Sequence, residues 1–225
     1  MRKITLAIFT LATFWTSAAN AMDLDPKDIR GSSSKEPVEV LQNRYFLKGF
    51  RPEIGLLGGV VLNEAYTNTQ LTGLRGGMFI DEWFGFELQY MRARVKPSTD
   101  RTTLEQLKYR PLTGEGVTTV SPEVNAIHVI TEANAVAAPL YGKINLINAW
   151  IVYTDIYATA GFANVLTDQG NKVAFAVGAG ERFYIGQSWS VRIDYRDRIY
   201  TETRGGRDSR RHAQSVDFGL SYFFL

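Results

Sequence analysis

The last thirteen residues, AQSVDFGLSYFFL, constrain this chain more than any other stretch. Val216, Phe218, Leu220, Tyr222 and Phe224 alternate strictly with Ser215, Asp217, Gly219, Ser221 and Phe223. A period of two places one set on each face of a β-strand. One face is wholly apolar and rich in aromatic rings, while the other is mostly small or polar. Such a strand suits a wall that turns its apolar side to lipid and its polar side to an interior.

The opposite end points to export. Arg2 and Lys3 precede an apolar run from Ile4 to Trp15, followed by the small residues Ser17, Ala18 and Ala19, then Asn20 and Ala21. This is the pattern of a secretory signal peptide, and Ala19-Asn20-Ala21 fits the small-x-small cleavage rule, which predicts a mature start at Met22. The apolar run is too short for a membrane anchor helix, which needs about 20 residues. The chain has no cysteine, so neither lipoprotein attachment nor a disulfide framework is available to it.

Removing 21 residues from 225 leaves 204, enough for one domain. Of 25 basic residues, Arg2 and Lys3 leave with the leader, so 23 basic residues face 23 acidic ones. That balance gives no reason to expect a nucleic-acid partner. No segment after residue 21 has the length and apolarity of a transmembrane helix. Repeated alternation with 11 Tyr, 13 Phe and 20 Gly leaves a closed β-barrel as the way to cross a membrane, because only closure pairs every backbone group between strands.

Period-two alternation and turn residues predict eight antiparallel strands in an up-and-down barrel. They fall at 50–62, 70–80, 84–95, 139–152, 154–165, 172–185, 188–200 and 213–225. Ile54, Leu56 and Val60 share a face in the first, as do Leu74, Met78 and Ile80 in the second. The third sets Phe84, Phe86, Leu88 and Tyr90 against Gly85, Glu87, Gln89 and Met91. In the seventh, Trp189, Val191, Ile193 and Tyr195 oppose Ser190, Arg192, Asp194 and Arg196. The links on this reading alternate between tight turns near 81–83, 153 and 186–187 and longer connections, among them 96–138 and 201–212. That is the asymmetry expected between periplasmic turns and external loops. Trp83, Trp150, Tyr153, Tyr184, Trp189, Tyr222 and Phe224 fall toward one end, and Tyr66, Tyr90, Tyr195 and Tyr200 toward the other. Two interfacial aromatic girdles follow from that placement.

Two places strain the pattern. Glu181 falls on the lipid face by strict alternation from Val177, which calls for either a bulge near Gly178 and Gly180 or a position close to the interface. In the loop 96–138, Pro122 to Ala138 reads as a helix, with Val124, Ile127, Ile130 and Ala133 at helical spacing. A long structured loop of this kind could fold over the barrel mouth.

Several runs resemble a known family. PLYGKINL at 139–146, TDIYATAGFANV at 154–165, GAGERFYIG at 178–186 and WSVRIDYRDRIY at 189–200 look like the outer-membrane β-barrel domain family described mainly from gliding and predatory bacteria, over roughly residues 40–225. Asn63-Glu64-Ala65 stands where that family tends to carry Asn-Asp-Pro. The last strand, through Phe218, Leu220, Tyr222 and Phe224, resembles the C-terminal signal read by the barrel-assembly machinery, with Leu225 as one extra residue. The resemblance implies an outer-membrane location and barrel fold. Some similar barrels belong to envelope-spanning assemblies, which makes a periplasmic or envelope protein partner an expectation.

Function must then come from the lumen and loops. An eight-stranded barrel has an interior just wide enough for side chains to fill. The predicted inward polar set is Glu53, Glu87, Gln89, Lys143, Asp155, Arg192, Asp194 and Arg196. These residues are expected to satisfy one another as a buried ion-pair network, the alternative being a narrow gated ion path. Arg204, Arg207, Arg210 and Arg211 lie in the seventh link, where guanidinium forks could bind lipopolysaccharide phosphates in addition to outer-membrane lipids.

Catalysis by a His and Ser on one strand face is not expected. His212 and Ser215 are three residues apart and so point to opposite faces, and His128 has no evident partner at useful spacing. No metal-ligand cluster or cofactor motif is present in the sequence. Segment 22–49 reads as a periplasmic leader that could tether a partner or cover the lumen. The expectation is therefore a non-enzymatic structural or interaction component of the outer membrane. A narrow channel and a soluble ligand-binding barrel are the alternatives.

Overall fold

The computed structural model describes residues 46–109, 118–146, 150–204 and 206–224. The leader 1–21, residues 22–45 and Leu225 lie outside the described residues, as do the side chains of Trp150 and Arg204. Eight long strands form the wall: β1 (Pro52–Val61), β2 (Thr67–Phe79), β3 (Phe84–Pro97), β6 (Ile127–Leu146), β7 (Trp150–Thr167), β8 (Gly170–Ile185), β9 (Trp189–Arg204) and β10 (Arg207–Phe223). Each pairs antiparallel with the next, and β1 closes the ring on β10, from Glu53 opposite Phe223 to Val61 opposite Ser215. Between β3 and β6 the chain forms helix α1 (Thr99–Gln106) and a short ladder of β4 (Lys108–Tyr109) and β5 (Thr118–Thr119). Ser98 caps α1, its Oγ accepting the Arg101 backbone N–H at 3.2 Å.

Alternation sorts the side chains as the sequence predicts. Ile54, Leu56, Leu74, Phe86, Leu88, Phe162, Val173, Phe175, Ile193, Phe218 and Leu220 are exposed on the outer wall, with Leu88 at 66% and Val173 at 78%. Among the described residues no helix is long and apolar enough to span a membrane. The crossing is made by strands, each with its apolar face outward and its backbone groups paired to its neighbours. A soluble ligand-binding barrel has the inverse arrangement, and that alternative falls.

The fourth strand is a correction. Residues 127–138 are not helical but form the first part of β6, paired with β3 through Phe84–Ala137 to Arg92–Val129 and with β7 on the other side. The helical spacing of Ile127, Ile130 and Ala133 is incidental. Ile130, Glu132, Asn134, Val136 and Ala138 are all buried toward the lumen, while the outward row is mostly alanine and threonine. Changing polarity inside and small residues outside hid the period of two, and alanine's helix propensity favoured the wrong reading. The edges of β3 and β7 could not face lipid unpaired, and that tertiary requirement overrides local propensity. The link expected at 96–138 is therefore 98–126. The turn expected near Tyr153 lies earlier, because β7 already begins at Trp150.

The links expected to be long at 166–171 and 201–212 are also tight. β7 and β8 are joined by Asp168 and Gln169 ahead of Gly170, whose φ of +95° suits glycine. The β9–β10 ladder runs up to Arg204–Arg207. Strands of 16 to 20 residues from β6 to β10 exceed the roughly 9–11 needed to cross a bilayer, so their hairpins stand beyond the apolar band. Glu181 stays on the outer face, since β8 keeps continuous register with both neighbours and has no bulge there. It is half-buried and accepts a bond from the Thr154 hydroxyl at 3.0 Å. In the girdles, Trp83, Trp189 and Phe224 face outward at the end bearing the termini, but Tyr184 and Tyr200 are buried inside the barrel.

Glycine permits the close strand approach that closure demands. A Cβ on Gly161 would collide with the Ala133 carbonyl and the Asn134 side chain, and one on Gly73 with the Tyr90 carbonyl. Replacing Gly161 by valine should abolish the heat-modifiable folded form on unboiled gels. A normal mobility shift in that variant would contradict the packing described.

Candidate functional site

Inward residues from all eight strands meet in the lumen. Along β9, Arg192, Asp194, Arg196 and Arg198 point inward in an unbroken row, each buried. The Arg192 guanidinium donates to Glu53 at 3.2 Å, Glu87 at 2.9 Å, Asp194 at 3.2 Å and the Tyr157 hydroxyl at 2.8 Å. Arg196 donates to Glu87 and to Glu132, the latter at 2.7 Å, and Arg198 donates to Glu132 at 2.7 Å and Ser215 at 2.9 Å. From β2, Arg75 reaches Asp194 at 2.9 Å, and Tyr157 donates its hydroxyl proton to the same carboxylate. Gln89 donates to Glu87 at 2.7 Å. At the end bearing the termini, Arg182 lies 3.4 Å from Glu53, and Asp155 accepts from Lys48 at 2.5 Å and Tyr184 at 2.6 Å.

Lys48, Arg75, Arg182, Arg192, Arg196 and Arg198 thus share the lumen with Glu53, Glu87, Glu132, Asp155, Asp194 and Asp217, six cations against six carboxylates. Buried charges persist when paired and hydrogen-bonded in this way. Seven of the eight residues predicted inside the barrel are there. The exception is Lys143, which is exposed on the part of β6 that follows the register shift between Ala137 and Leu140. Asp217 stands on the polar face read for the last strand, whereas Lys48, Arg75, Glu132, Arg182 and Arg198 are additions to the predicted set.

Apolar layers bound this network on both sides. Toward the end bearing the termini, Phe46 stacks on Tyr184 with centroids 4.1 Å apart and meets Phe223 edge-on at 5.0 Å, beside Phe79 and Val136. The segment just before β1 therefore covers the lumen with its own side chains. It is held by Glu82, which accepts the backbone N–H groups of Lys48 and Gly49 at 2.9 Å, and by Arg51, which donates to the carbonyls of Leu47, Phe224 and Gln187. Phe50 makes the turn with a φ of +56°, unusual for a bulky residue. On the far side Leu57, Leu71, Met91, Ile130, Val165 and Tyr200 fill the barrel.

Beyond that second layer a polar mouth opens. Arg211, predicted to face lipopolysaccharide, turns inward and donates to Glu202 at 2.7 Å, Glu64 at 3.1 Å and the Asn125 carbonyl at 3.1 Å. It ties β10 to β9, to the β1–β2 link and to the end of the long loop, and is not presented to a lipid phosphate. Arg207 and Arg210 are exposed. The end of the long loop meets the mouth at Asn125, and at Ala126, whose N–H donates to Asp168 at 2.8 Å in the β7–β8 link. That bond, together with His128 at 2.7 Å, holds the Asp168 carboxyl below its ordinary value. His128 therefore has a carboxylate partner that its sequence neighbours did not reveal. His212 faces outward, 2.8 Å from Asp197, whereas Ser215 is buried inside with Arg198, so the two share no face.

A polar, charge-balanced interior within an apolar outer wall defines an integral outer-membrane β-barrel. The chain belongs to the outer membrane protein beta-barrel domain family, whose model matches residues 52–224. No curated protein matches its sequence. Among solved structures it is similar to the N-terminal β-barrel domain of Pseudomonas aeruginosa OprF, 14% identical with a TM-score of 0.48, covering 78% of this chain and 98% of that one. Ail, the attachment invasion locus protein of Yersinia pestis, is 12% identical with a TM-score of 0.35, covering 77% of this chain and 97% of Ail. The outer membrane protein AlkL is 14% identical with a TM-score of 0.35, covering 86% and 97%.

Glu87 contacts three arginines, so Glu87→Leu should destabilise the barrel by about 3–5 kcal/mol, the effect of leaving buried charge unpaired. Lys143→Ala should stay within about 0.5 kcal/mol, as for an exposed side chain. Urea unfolding in lipid vesicles separates the two. Equal stabilities would contradict the network.

Proposed function

We propose that this protein is a closed, non-enzymatic barrel that serves as a structural and interaction component of the outer membrane. The observation that carries this reading is the filled lumen, in which paired charges lie between two apolar layers. An ion path would need a continuous polar route, and the rows headed by Leu71 and Phe46 interrupt it on either side, which disfavours the channel alternative.

Short turns on the side of the termini and the long 98–126 link on the other support an orientation with both termini in the periplasm. Phe218, Leu220, Tyr222 and Phe224 line the outer face of the last strand, where the barrel-assembly machinery would read them. In this reading the polar segment 22–49 serves as a tether to a periplasmic or envelope protein.

The outer rim then lies among lipopolysaccharide headgroups. Arg207 and Arg210 are exposed there and available for phosphate contacts, joined in this proposal by Arg204. Arg211 is withdrawn from that role by its bonds to Glu64 and Glu202. Lipopolysaccharide retained through purification should fall severalfold in the Arg207→Ala, Arg210→Ala double variant and remain at the parent level in Arg211→Ala. Unchanged retention in the double variant would defeat the phosphate contact.

A further inference from the structure

The outer wall carries a stripe of positive charge that no acid among the described residues balances. On β3 the outward row continues past Tyr90 with Arg92, Arg94 and Lys96, all exposed, at every second position. Opposite them β2 sets Thr72, Gln70 and Asn68, and β6 sets Val129 beside Arg92 where its pairing with β3 ends. All four neighbours are uncharged. Arg92 donates from Nε to the Tyr90 hydroxyl at 3.2 Å, while Arg94 and Lys96 have no side-chain partner among the described residues. In α1, which follows, Glu105 is held by Arg101 at 2.7 Å, and Asp100 forms no ion pair with the stripe. Elsewhere on the outer face His212 lies against Asp197, so the β3 row differs in lacking a counter-charge.

The height of the stripe on the wall shows what it meets. Arg92, Arg94 and Lys96 stand nine, eleven and thirteen positions beyond Trp83, in the girdle at the end bearing the termini. At roughly 3.3 Å per residue and a tilt of about 40°, they rise from about 23 to about 33 Å above that girdle. The apolar band of such a barrel is about 25 Å tall, so the stripe runs from its far edge into the headgroups. An arginine fork takes two phosphate oxygens, and a lysine acts as a point charge. A phosphate monoester offers three acceptor oxygens and a charge of about −1.5 to −2. Three cations spread over about 13 Å of strand are therefore matched by two such groups. The single phosphodiester of an ordinary phospholipid leaves most of the stripe unpaired.

We propose that the outer face of β3 binds a lipid carrying two phosphate groups, the lipid A anchor of lipopolysaccharide, through Arg92, Arg94 and Lys96. The identity of this lipid rests on the periplasmic placement of the termini, which puts the stripe in the outer leaflet. The site lies three strands around the ring from β10 and is separate from the contacts of Arg207 and Arg210.

The chain has no cysteine, so Gln70→Cys, opposite Arg94, takes a single fluorescent donor. Energy transfer to acceptor-labelled lipids in phosphatidylcholine vesicles then reads which lipid gathers beside β3. Bisphosphorylated lipid A should give at least threefold more transfer than monophosphorylated lipid A or phosphatidylglycerol. Combining Arg92→Gln, Arg94→Gln and Lys96→Gln should remove that excess while keeping the heat-dependent gel shift. Arg94→Glu alone should at least halve it, and gives the same reading should the triple variant not fold. A donor at Thr201→Cys, opposite Arg210, should be unaffected by these substitutions, and it reports the contacts of Arg207 and Arg210 on their own. No excess of the bisphosphorylated lipid over either comparison, full excess in a folded variant, or loss of the excess to added inorganic phosphate would overturn the proposal. Asn68→Cys, opposite Lys96, should react on intact cells with a thiol reagent that does not cross the outer membrane. Protection of that cysteine, with the transfer intact, would overturn the orientation and with it the identity of the lipid.

Discussion

Arg192 is the point on which the barrel depends. Its guanidinium joins carboxylates from β1, β3 and β9 and the Tyr157 hydroxyl of β7, so one side chain ties four strands across the lumen. An eight-stranded barrel leaves space inside for side chains and little else. Filling that space with charge is tolerable only because each cation reaches a carboxylate. The network extends from Arg182 through Glu53, Arg192, Glu87, Arg196 and Glu132 to Arg198. Replacing one member leaves its partners buried and uncompensated, which makes pairing a condition on the whole interior rather than on isolated bridges.

The sealing layers follow from the same geometry. Toward the termini the wall alone does not close the lumen, and Phe46 completes it against Tyr184 and Phe223 while Lys48 supplies the cation for Asp155. Arg51 then binds this segment to the end of β10 through the Phe224 carbonyl. On the other side Leu57, Leu71, Met91 and Ile130 separate the network from the mouth, where Arg211 repeats on a smaller scale the joining of several elements by one guanidinium.

Much of this fold is legible in the sequence because lipid forces a period of two wherever the outer row is apolar and the inner row is not. The strands around Phe86, Ile193 and Phe218 show that contrast plainly. It vanishes in 127–138, where the inner row runs from Ile130 to Glu132 to Val136 and the outer row is largely alanine, and there local spacing suggested a helix. The interior was legible where a charge stood between large apolar neighbours, as with Arg192 and Glu87. Arg182 adjoins the anomalous Glu181, and Lys48 precedes the first strand, so neither stood out. The inward turn of Arg211 is hidden in the sequence for a different reason. A run of arginines carries no sign of which members alternate inward, and only the continuation of β10 to Arg207 fixes that register.

The central claim is that the lumenal charges are paired with one another and shielded from water. Proton exchange at the Arg192 and Arg196 guanidinium groups, measured by ¹⁵N NMR on the detergent-solubilised barrel, tests it most directly. The account predicts resolved side-chain resonances exchanging at least a hundredfold more slowly than those of the exposed Arg207. Exchange of Arg192 and Arg196 at the rate of Arg207 would mean a wet, open interior and would contradict the account.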